Sequence, residues 1–589
     1  MESAASALVP YLRRHGAQFG VGALFLVAGT GIQLLLPWVL KHAIDHATAA
    51  NGREPAGADS SSPETYAAVV VVLAAARAAA RFMTQRLIMG AAREVETDVR
   101  SEVFRQLQRL PPAWFRVHRT GDLMSRATND LAAVGTMAGP VIMYVAGTSL
   151  TFILAVVLMV SLSPTLAALA LLPLMAVSLV AKRIGGAVYV RSDRIQEQLA
   201  HMSAVAQEAL AGVRLVRAYR CEDVKVGLFR AANREYVARS RAMIRLQAVF
   251  HPALAFFLGL SALIVLWIGS GHVIDGRLSV GEFVAFNAYV AMLSWPMIAF
   301  GWVTNMLQRG LAAWQRILDI LRVDPAIRDP ERPVTPQRIR GVVEFRDLSF
   351  AYNGQMVLSG VSARVGPGQV LALVGPTGSG KSTLLDLVPR LFDPPPGTVF
   401  VDGVDVRQLP LDTLRGAIGY VSQEPLLFSE TIAGNVAFGT RAEADGNART
   451  VADAVALAQL DADIAELPRG LDTEVGERGI TLSGGQKQRA ALARAILTDP
   501  RILILDDALS AVDTRTEGAI LARLRGLMRQ RTTILVAHRI STVRDADLIL
   551  VLDDGRVVER GTHAELVAQG GLYAGLHRKQ LLEEALEES

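Results

Sequence analysis

VLALVGPTGSGKS at residues 370–382 decides the fold of the C-terminal half of the chain. The apolar run Val370–Val374 has the length and composition of a buried β-strand, and Ser382 to Leu391 have a helical pattern. A glycine-rich loop between a strand and a helix presents backbone N–H groups to an anion. LSGGQ at residues 482–486 and ILILDD at residues 502–507 follow it. The sequence therefore predicts a phosphate-binding loop within an α/β domain.

The loop fits the pattern G-x-x-x-x-G-K-[ST]. Gly375 and Gly380 let the backbone approach phosphate groups, Lys381 reaches the outer phosphates, and Ser382 can ligate magnesium. The loop predicts ATP and Mg²⁺ as cofactors. The predicted nucleotide-contact residues of the loop are Gly375, Pro376, Thr377, Gly378, Ser379, Gly380, Lys381, Ser382 and Thr383.

Together the three stretches resemble the ATP-binding cassette, whose signature is LSGGQ. In that family ATP lies between the P-loop of one cassette and the signature of another, so the resemblance implies that the chain works as a dimer. The signature residues implied to contact nucleotide are Leu482, Ser483, Gly484, Gly485 and Gln486.

The resemblance implies roles for five further residues. Tyr352 resembles the aromatic residue that stacks on adenine, with an ordinary strand aromatic as the alternative. Gln423 in YVSQEP resembles the glutamine that senses the γ-phosphate and magnesium, and His538 in LVAHR the switch histidine. Asp506 resembles the magnesium-holding carboxylate and Asp513 the aspartate that acts across the dimer. The implied metal ligands are Ser382, Gln423 and Asp506.

Asp507 departs from the family pattern, because active members usually carry glutamate at this position. The glutamate acts as general base and must lie within about 2.6–3.2 Å of the proton that it takes. Aspartate is one methylene shorter, and a misplacement of about 1 Å can cost on the order of 10²-fold in rate. With Asp507, His538 and Gln423 as the catalytic set, we predict that the site binds ATP and hydrolyses it slowly. The alternative is that a backbone shift or a longer chain of water molecules lets Asp507 act in place of glutamate.

The other nucleotide motifs are intact, so only the catalytic carboxylate, at Asp507, is changed. The change therefore affects the site built on this chain's own P-loop and leaves its signature unaltered. Lys381, Gln423, His538 and LSGGQ all keep the family residues. We therefore predict a heterodimer, in which a sister half-transporter supplies a P-loop and a catalytic glutamate while this chain's signature completes that site. A homodimer is the alternative.

Composition predicts a membrane part. Of the 589 residues, 51% are hydrophobic, and the mean hydropathy is +0.31. All six tryptophans precede residue 315, whereas every nucleotide motif follows residue 350. The single cysteine, Cys221, excludes a disulfide within the chain. The net charge of +4 and the clustering of arginines indicate membrane topology and no nucleic-acid binding.

Six apolar stretches are long enough to span a bilayer. Arg13 and Arg14 precede the first, arginines follow the second and fourth, and the connection at residues 161–164 is uncharged. The positive-inside rule then predicts a multi-pass protein of the bacterial cytoplasmic membrane with both termini cytoplasmic. The predicted spans are residues 19–40, 65–86, 138–162, 164–184, 247–269 and 282–305.

Long polar helical segments after the second and fourth spans resemble the cytoplasmic helix extensions of exporters in this family. Residues 110–126 and 212–223 within them resemble the two turns that dock on cassettes, with generic solvated hairpins as the alternative.

The predicted fold class is multidomain: an all-α membrane domain of six helices, then an α/β P-loop cassette with a helical subdomain. Four prolines in residues 321–340 disfavour a continuous helix there. The predicted domains are residues 1–320 for the membrane domain, 321–340 for the linker, 341–580 for the cassette and 581–589 for an acidic tail.

Arg77 and Arg81 lie four residues apart within the second predicted span, on one helix face. Such charges either line a cavity that attracts anionic or zwitterionic cargo, or snorkel or form a structural ion pair. The second interpretation is favoured at this point. Trp38 and Trp267 are predicted interface anchors, and Trp295, Trp302 and Met306 are candidates for lining the central path.

The resemblance covers nearly the whole chain. GERGITLSGGQKQR and ILILDDALSAVDTRTE particularly resemble one subunit of bacterial heterodimeric multidrug-resistance-like exporters. The resemblance implies ATP-driven export of hydrophobic or amphipathic compounds, drugs or lipids, by alternating access. A dedicated lipid flippase, a specific peptide or siderophore transporter, and a nucleotide-binding regulatory subunit are the alternatives.

Overall fold

The computed structural model describes residues 6–49, 63–440, 450–476 and 482–587. Two compact units make up the chain. The helical unit comprises residues 1–108 and 119–323, and the α/β unit comprises residues 109–118 and 324–589.

The first eleven helices include five of more than 30 residues. Such lengths exceed what a soluble globular helix usually needs and suit helices that continue beyond a bilayer. They are α1 (Val9–Arg14), α2 (Gly16–Ala49), α3 (Pro63–Arg109), α4 (Pro112–Val117), α5 (Thr120–Ser125), α6 (Leu131–Thr136), α7 (Ile142–Leu162), α8 (Pro164–Ala211), α9 (Val213–Ala218), α10 (Glu222–Ile274) and α11 (Val280–Leu321).

Helices α5, α6 and α7 form one continuous helical segment, Thr120–Leu162. Two π-helical turns, Arg126–Asp130 and Met137–Val141, interrupt it. The second contains Pro140, which lacks the N–H that would continue the α-helical ladder.

Five of the described helices are long and apolar enough to cross a membrane. The sequence predicts six spans, and the fourth, at residues 164–184, falls within α8. An apolar stretch within that helix covers Pro164–Val177, and the sequence stays uncharged up to Ala181. The all-helical architecture of the membrane domain is confirmed, and the described helices are compatible with the six predicted spans.

The described part of the α/β unit contains ten strands in two sheets. β2, β1, β4 and β5 form an antiparallel sheet in that order. The second sheet has the order β10-β9-β3-β8-β7-β6 and is parallel except for β10 at its edge. The strands are β1 (Val343–Tyr352), β2 (Gln355–Val365), β3 (Val370–Val374), β4 (Val399–Val401), β5 (Val404–Asp405), β6 (Ile418–Val421), β7 (Ile502–Asp506), β8 (Thr532–Val536), β9 (Leu548–Asp553) and β10 (Arg556–Gly561).

Among the residues that the structure describes, ten helices accompany these strands. Two apolar clusters cover the two faces of the larger sheet. The helices are α12 (Lys381–Leu387), α13 (Leu411–Gly416), α14 (Ile432–Ala437), α15 (Val451–Leu457), α16 (Asp461–Ala465), α17 (Gly484–Leu497), α18 (Thr514–Met528), α19 (Ile540–Val543), α20 (His563–Gln569) and α21 (Leu572–Glu587).

The predicted strand at Val370–Val374 is confirmed as β3. The predicted helix from Ser382 to Leu391 is too long, since α12 ends at Leu387. Pro389 explains the early end, because proline has no N–H to extend the helical ladder. Leu391 N–H turns back to the Asp386 carbonyl at 3.0 Å instead.

Beyond Leu321, the predicted linker has neither helix nor strand, as its four prolines predict. Helix α11 ends at Leu321 and β1 begins at Val343. Helix α21 carries the chain to Glu587, into the predicted acidic tail, whose last two residues lie outside the described part of the chain. The domain boundaries themselves stay predictions.

Candidate nucleotide site

The register of the parallel sheet aligns the ends of three neighbouring strands. Leu373 in β3 and Asp506 in β7 both pair with Val536 in β8. The segments after these residues therefore leave the sheet at one edge, which is where ligands bind in open α/β sheets. The P-loop, the two carboxylates and the segment of His538 come together at this edge.

Two glycines hold the P-loop close to neighbouring backbone. A Cβ at Gly375 would lie 2.1 Å from the Leu552 carbonyl oxygen, and one at Gly380 would lie 3.0 Å from that of Val357. Both residues have positive φ, at 152° and 94°. This geometry leaves backbone N–H groups free of side-chain cover, as a phosphate cradle requires.

Lys381 is buried inside the loop, with 7% of its surface exposed. Its Nζ donates to the carbonyl oxygens of Gly375 at 2.9 Å and Pro376 at 2.8 Å, and to Ser379 Oγ at 3.4 Å. Burial lowers the pKa of the Lys381 ammonium, which the nearby Asp506 and Asp507 partly offset. An anionic phosphate would favour the charged form further.

Two of the predicted magnesium ligands, Ser382 and Asp506, offer side-chain oxygen atoms. Burial raises the pKa of the Asp506 carboxyl, while a hydrogen bond with Ser382 and the charge of Lys381 act against it. No three His, Cys, Asp or Glu side chains cluster as a metal site within the described ranges. These residues fit Mg²⁺, which prefers oxygen ligands and takes the rest from phosphates and water.

Gln423 lies two residues beyond the end of the edge strand β6. Its side chain is exposed and forms no hydrogen bond with Ser382 or Asp506 in the described part of the chain. Its predicted role as metal ligand and γ-phosphate sensor stays a prediction. Of the two threonines predicted to contact nucleotide, Thr377 is exposed and Thr383 is half-buried.

Asp507 is buried and has φ of 49°, in the left-handed region that aspartate tolerates better than most residues. Its Oδ2 lies 4.0 Å from Nε2 of His538, beyond hydrogen-bond distance. Its backbone N–H donates to Val536 O at 3.0 Å, and its carbonyl accepts from Ser510 Oγ at 2.9 Å. The backbone is thus fixed while the carboxylate falls short of the histidine.

The signature LSGGQ begins α17. Ser483 Oγ accepts from the Gln486 N–H at 3.2 Å, and Gln486 Oε1 accepts from the Ser483 N–H at 2.9 Å, which forms a capping box. A Cβ at Gly485 would lie 2.8 Å from the Ala511 carbonyl, so this glycine is in close contact with the segment that follows β7. Leu482 is buried in the core. Residues 477–481, within the stretch GERGIT, lie outside the described residues.

Gln488 joins the signature helix to the Asp507 segment, a connection that sequence reasoning missed. Gln488 is 4% exposed. Its Nε2 donates to Ser510 Oγ at 2.9 Å and to Asp507 O at 3.4 Å, and its Oε1 accepts from the Ala511 N–H at 2.9 Å. The pattern offered a signal only in that a glutamine follows LSGGQ on the inner face of α17.

Asp513 caps α18, since its Oδ1 accepts from the Thr516 N–H at 2.9 Å. This bond lowers the pKa of the Asp513 carboxyl. The backbone of His538 is held from α21, where Gln580 donates to its carbonyl and accepts from the Ile540 N–H at 2.7 Å. Sequence reasoning missed Gln580, because it lies 42 residues from His538.

Tyr352 is half-buried in an aromatic cluster with Phe350 and Phe392, each ring centroid 5.0 Å from its own. The Arg116 guanidinium lies over the Tyr352 ring at 5.1 Å and over Phe392 at 4.8 Å, a cation–π arrangement. Arg116 belongs to α4, in the segment 110–126 that the sequence predicts as a docking turn. Residues 109–118 do group with the α/β unit.

The second predicted docking segment, residues 212–223, forms the short helix α9 between α8 and α10. Leu215 and Tyr219 on it are largely exposed. Its docking role stays a prediction.

The α/β unit combines a parallel sheet with a P-loop, a strand that ends in carboxylates and a helix that begins with LSGGQ. The same chain contains a unit of membrane-length helices. Together these features define an ATP-driven membrane transporter. The comparisons agree. A family model described as "ABC transporter transmembrane region" matches residues 19–297, and one described as "ABC transporter" matches residues 358–510.

Similar proteins match along almost the whole chain. A multidrug resistance-like ATP-binding protein, MdlA, of Escherichia coli is 36% identical, covering 98% of this chain and 97% of its own length. An ATP-dependent lipid A-core flippase of Aromatoleum aromaticum is 37% identical, covering 98% and 96%. A solved bacterial Atm1-family ABC exporter with ATP bound has a TM-score of 0.77 and 30% identity, covering 97% and 99%.

The chain belongs to the ABC transporter family. It is a half-transporter with one membrane region and one nucleotide-binding domain, has the exporter fold, and couples ATP hydrolysis to transport as part of a dimer. It is a bacterial membrane protein.

Proposed function

We propose that this chain is one half of a heterodimeric exporter of hydrophobic or amphipathic compounds, drugs or lipids, in which one ATP site is slow. The observation that carries the proposal is the position of Asp507. Its carboxylate lies 4.0 Å from His538 on a fixed backbone. A glutamate would add about 1.5 Å of reach, one carbon–carbon bond.

We propose the following roles for the site residues. The backbone of Gly375 to Gly380 cradles the phosphates, Lys381 neutralises their charge, and Ser382 with Asp506 and Gln423 holds Mg²⁺. Bound Mg²⁺ would offset the negative charge that develops on the phosphates. Asp507 orients water weakly, so ATP stays bound at this site while a partner's site turns over.

The signature of this chain completes the partner's site. Ser483 and the N-terminus of α17 are held by the capping box, and Gln488 fixes them to the segment that ends in Asp513. Both N- and C-terminus lie in the cytoplasm in this proposal, since Arg13 and Arg14 precede the first span.

The direct test is the ATPase activity of the purified full-length chain alone, beside the same chain co-expressed with a second half-transporter encoded next to it. We expect the pair to turn over on the order of 10²-fold faster than the chain alone. Equal specific activity in the two preparations would reject the heterodimer and favour a homodimer. A matched pair that carries Ser483→Arg in this chain should lose the gain while this chain still binds ATP.

A further inference from the structure

The segment that carries His538 leaves the larger sheet after β8 and enters the short helix α19. We call residues 537–540 the switch turn. The His538 side chain is exposed, and its Nε2 lies 4.0 Å from Oδ2 of Asp507, at the edge of the sheet where the P-loop also lies. A side chain on a turn keeps a fixed position only if other contacts hold its backbone. The contacts of the switch turn therefore bear on ATP hydrolysis.

Gln580 of α21 holds the switch turn with both ends of its amide. Its Nε2 donates to the His538 carbonyl, and its Oε1 accepts from the Ile540 N–H at 2.7 Å. An amide group has one donor end and one acceptor end, so it can satisfy a carbonyl and an N–H together. Gln580 thus fixes the backbone at His538 and again two residues later.

The Ile540 N–H needs an acceptor from outside its own segment. It is the first N–H of α19, and the first N–H groups of a helix have no partner within that helix. Arg539, at the N-cap position, makes no side-chain capping bond. Gln580 supplies the acceptor from 40 residues further along the chain.

Helix α21 is anchored on the core of the α/β unit. Tyr573 is fully buried, its hydroxyl lies 2.8 Å from Nδ1 of His563, and its N–H donates to Oε2 of Glu559 at 3.0 Å. Leu576 packs against the same core. Tyr573, Leu576 and Gln580 follow the spacing i, i+3 and i+7, which places them on one face of the helix. The face that anchors α21 therefore presents Gln580 to the switch turn.

The residues that follow His538 are tied to a different helix, α18. Arg539 and Thr542 both donate to the buried carboxylate of Glu517. Arg539 Nη1 also donates to the Val512 carbonyl at 3.0 Å. These bonds do not depend on Gln580. Loss of the Gln580 amide should therefore loosen the backbone at His538 and leave the rest of the segment in place.

We infer that Gln580 is a positioning residue for ATP hydrolysis, which acts through His538 and makes the last helix part of the hydrolytic apparatus. The inference rests on the proposed role of His538 at the γ-phosphate. It does not depend on the identity of the partner, since every contact that carries it lies within the α/β unit of one chain.

The test is steady-state ATP hydrolysis by the full-length chain in lipid, with Gln580→Leu beside the unsubstituted protein. Radiolabelled ATP makes slow cleavage measurable, and both proteins are also measured with Asp507→Glu. We expect kcat to fall about tenfold, because a misplacement of about 1 Å can cost on the order of 10²-fold. KM for ATP should change less than about twofold. An unchanged kcat, or a loss that lies wholly in KM, would overturn the inference.

Gln580→Glu separates the two bonds of the amide. A carboxylate can still accept from the Ile540 N–H but cannot donate to the His538 carbonyl. We expect its kcat to fall as far as that of Gln580→Leu. Gln569→Leu, the same replacement at the exposed end of α20, is the control and should keep full activity. Full activity in Gln580→Glu, or an equal loss in Gln569→Leu, would contradict the role of the His538 carbonyl.

A double-mutant cycle with His538→Ala shows whether Gln580 acts through His538. In the His538→Ala protein, Gln580→Leu should lower kcat no further, because the side chain that it positions is gone. A merely structural contribution would lower kcat by the same factor with and without His538, and that result would overturn the inference.

The same measurements separate this inference from the proposed function. A full kcat in Gln580→Leu together with a loss in His538→Ala rejects only the inference. An unchanged kcat in His538→Ala rejects the proposed role of His538 and the inference with it. Brisk turnover by the unsubstituted chain alone rejects only the slow site.

Discussion

The nucleotide site and the membrane cavity treat charge in opposite ways. In the nucleotide site Lys381 is held by two carbonyls, and Asp506 by Ser382. In the cavity of about 480 Å³ that helices α2, α3, α7 and α11 enclose, Arg77 and Arg81 have no partner within the described residues. A buried charge is costly unless it is paired. Contacts within the chain therefore hold the charges of the nucleotide site, whereas the two arginines have no such contacts among the described residues.

The largest effect should come from the backbone of the P-loop. Gly375→Ala places a Cβ 2.1 Å from the Leu552 carbonyl, whereas Gly378→Ala, also at positive φ, meets nothing within 4 Å. We expect Gly375→Ala to destabilise the α/β unit by about 3 kcal/mol and to abolish ATP binding, and Gly378→Ala to cost about 1 kcal/mol. Calorimetry and binding of a fluorescent ATP analogue measure both. Similar losses in the two variants would contradict the close approach.

Gln488→Leu should have the next largest effect, since it leaves the Ala511 N–H and the Ser510 hydroxyl without their bonds to the signature helix. We expect a cost of about 1–3 kcal/mol in stability and a slower ATPase of the dimer with little change in ATP binding by this chain. Gln530→Leu, the same replacement at an exposed residue, is the control. If both variants hydrolyse ATP equally well, Gln488 does not connect the two segments functionally.

Asp463 should give a smaller, pH-dependent effect. Burial alone would raise the pKa of its carboxyl, but hydrogen bonds from Gln486 and Arg489 outweigh burial and lower it. Because the pKa of this carboxyl is lower in the folded protein, the carboxylate stabilises the fold at pH values above its unfolded-state pKa of about 3.9. This stabilisation is lost as the pH falls through the folded-state pKa.

Asp463→Asn should therefore lower stability by about 1 kcal/mol at neutral pH. The difference between variant and wild type should shrink as the pH drops below about 4. Thermal unfolding of both proteins across this range measures it. A difference that is constant with pH would show that the carboxylate charge is not involved.

The smallest effect is expected at the cavity. Arg77→Leu and Arg81→Leu break no hydrogen bond or ion pair among the described residues. Each should therefore change the free energy of unfolding by no more than about 0.5 kcal/mol, with little change in the thermal midpoint. Arg316→Leu in the same helical unit removes the fork onto Asp130 and should cost about 2 kcal/mol. A loss at Arg77 as large as that at Arg316 would remove the contrast between the two sites.

Local patterns predicted the framework of the α/β unit well. The predicted strand Val370–Val374 is an apolar run that ends before Gly375, and β3 has the same limits. The predicted end of α12 is wrong, because the helical pattern of the sequence continues past Pro389, which lacks the N–H that would extend the helix beyond Leu387.

Contacts between distant residues were not predictable. Arg116 meets Tyr352 across more than 200 residues of sequence, and Gln580 reaches His538 from the last helix. Periodicity and motif spacing carry no information on such pairs. The partner-free state of Arg77 and Arg81 likewise required the positions of every neighbouring helix, although their spacing had placed them on one face.

The central claim, that Asp507 makes this ATP site slow, is tested most directly by steady-state ATP hydrolysis of the full-length chain in lipid. Wild type, Asp507→Glu and Asp507→Asn are compared without any partner. We expect slow turnover in the wild type, an increase on the order of 10²-fold with glutamate, and no increase with asparagine, which also tolerates positive φ. Brisk wild-type turnover that glutamate leaves unchanged would contradict the claim.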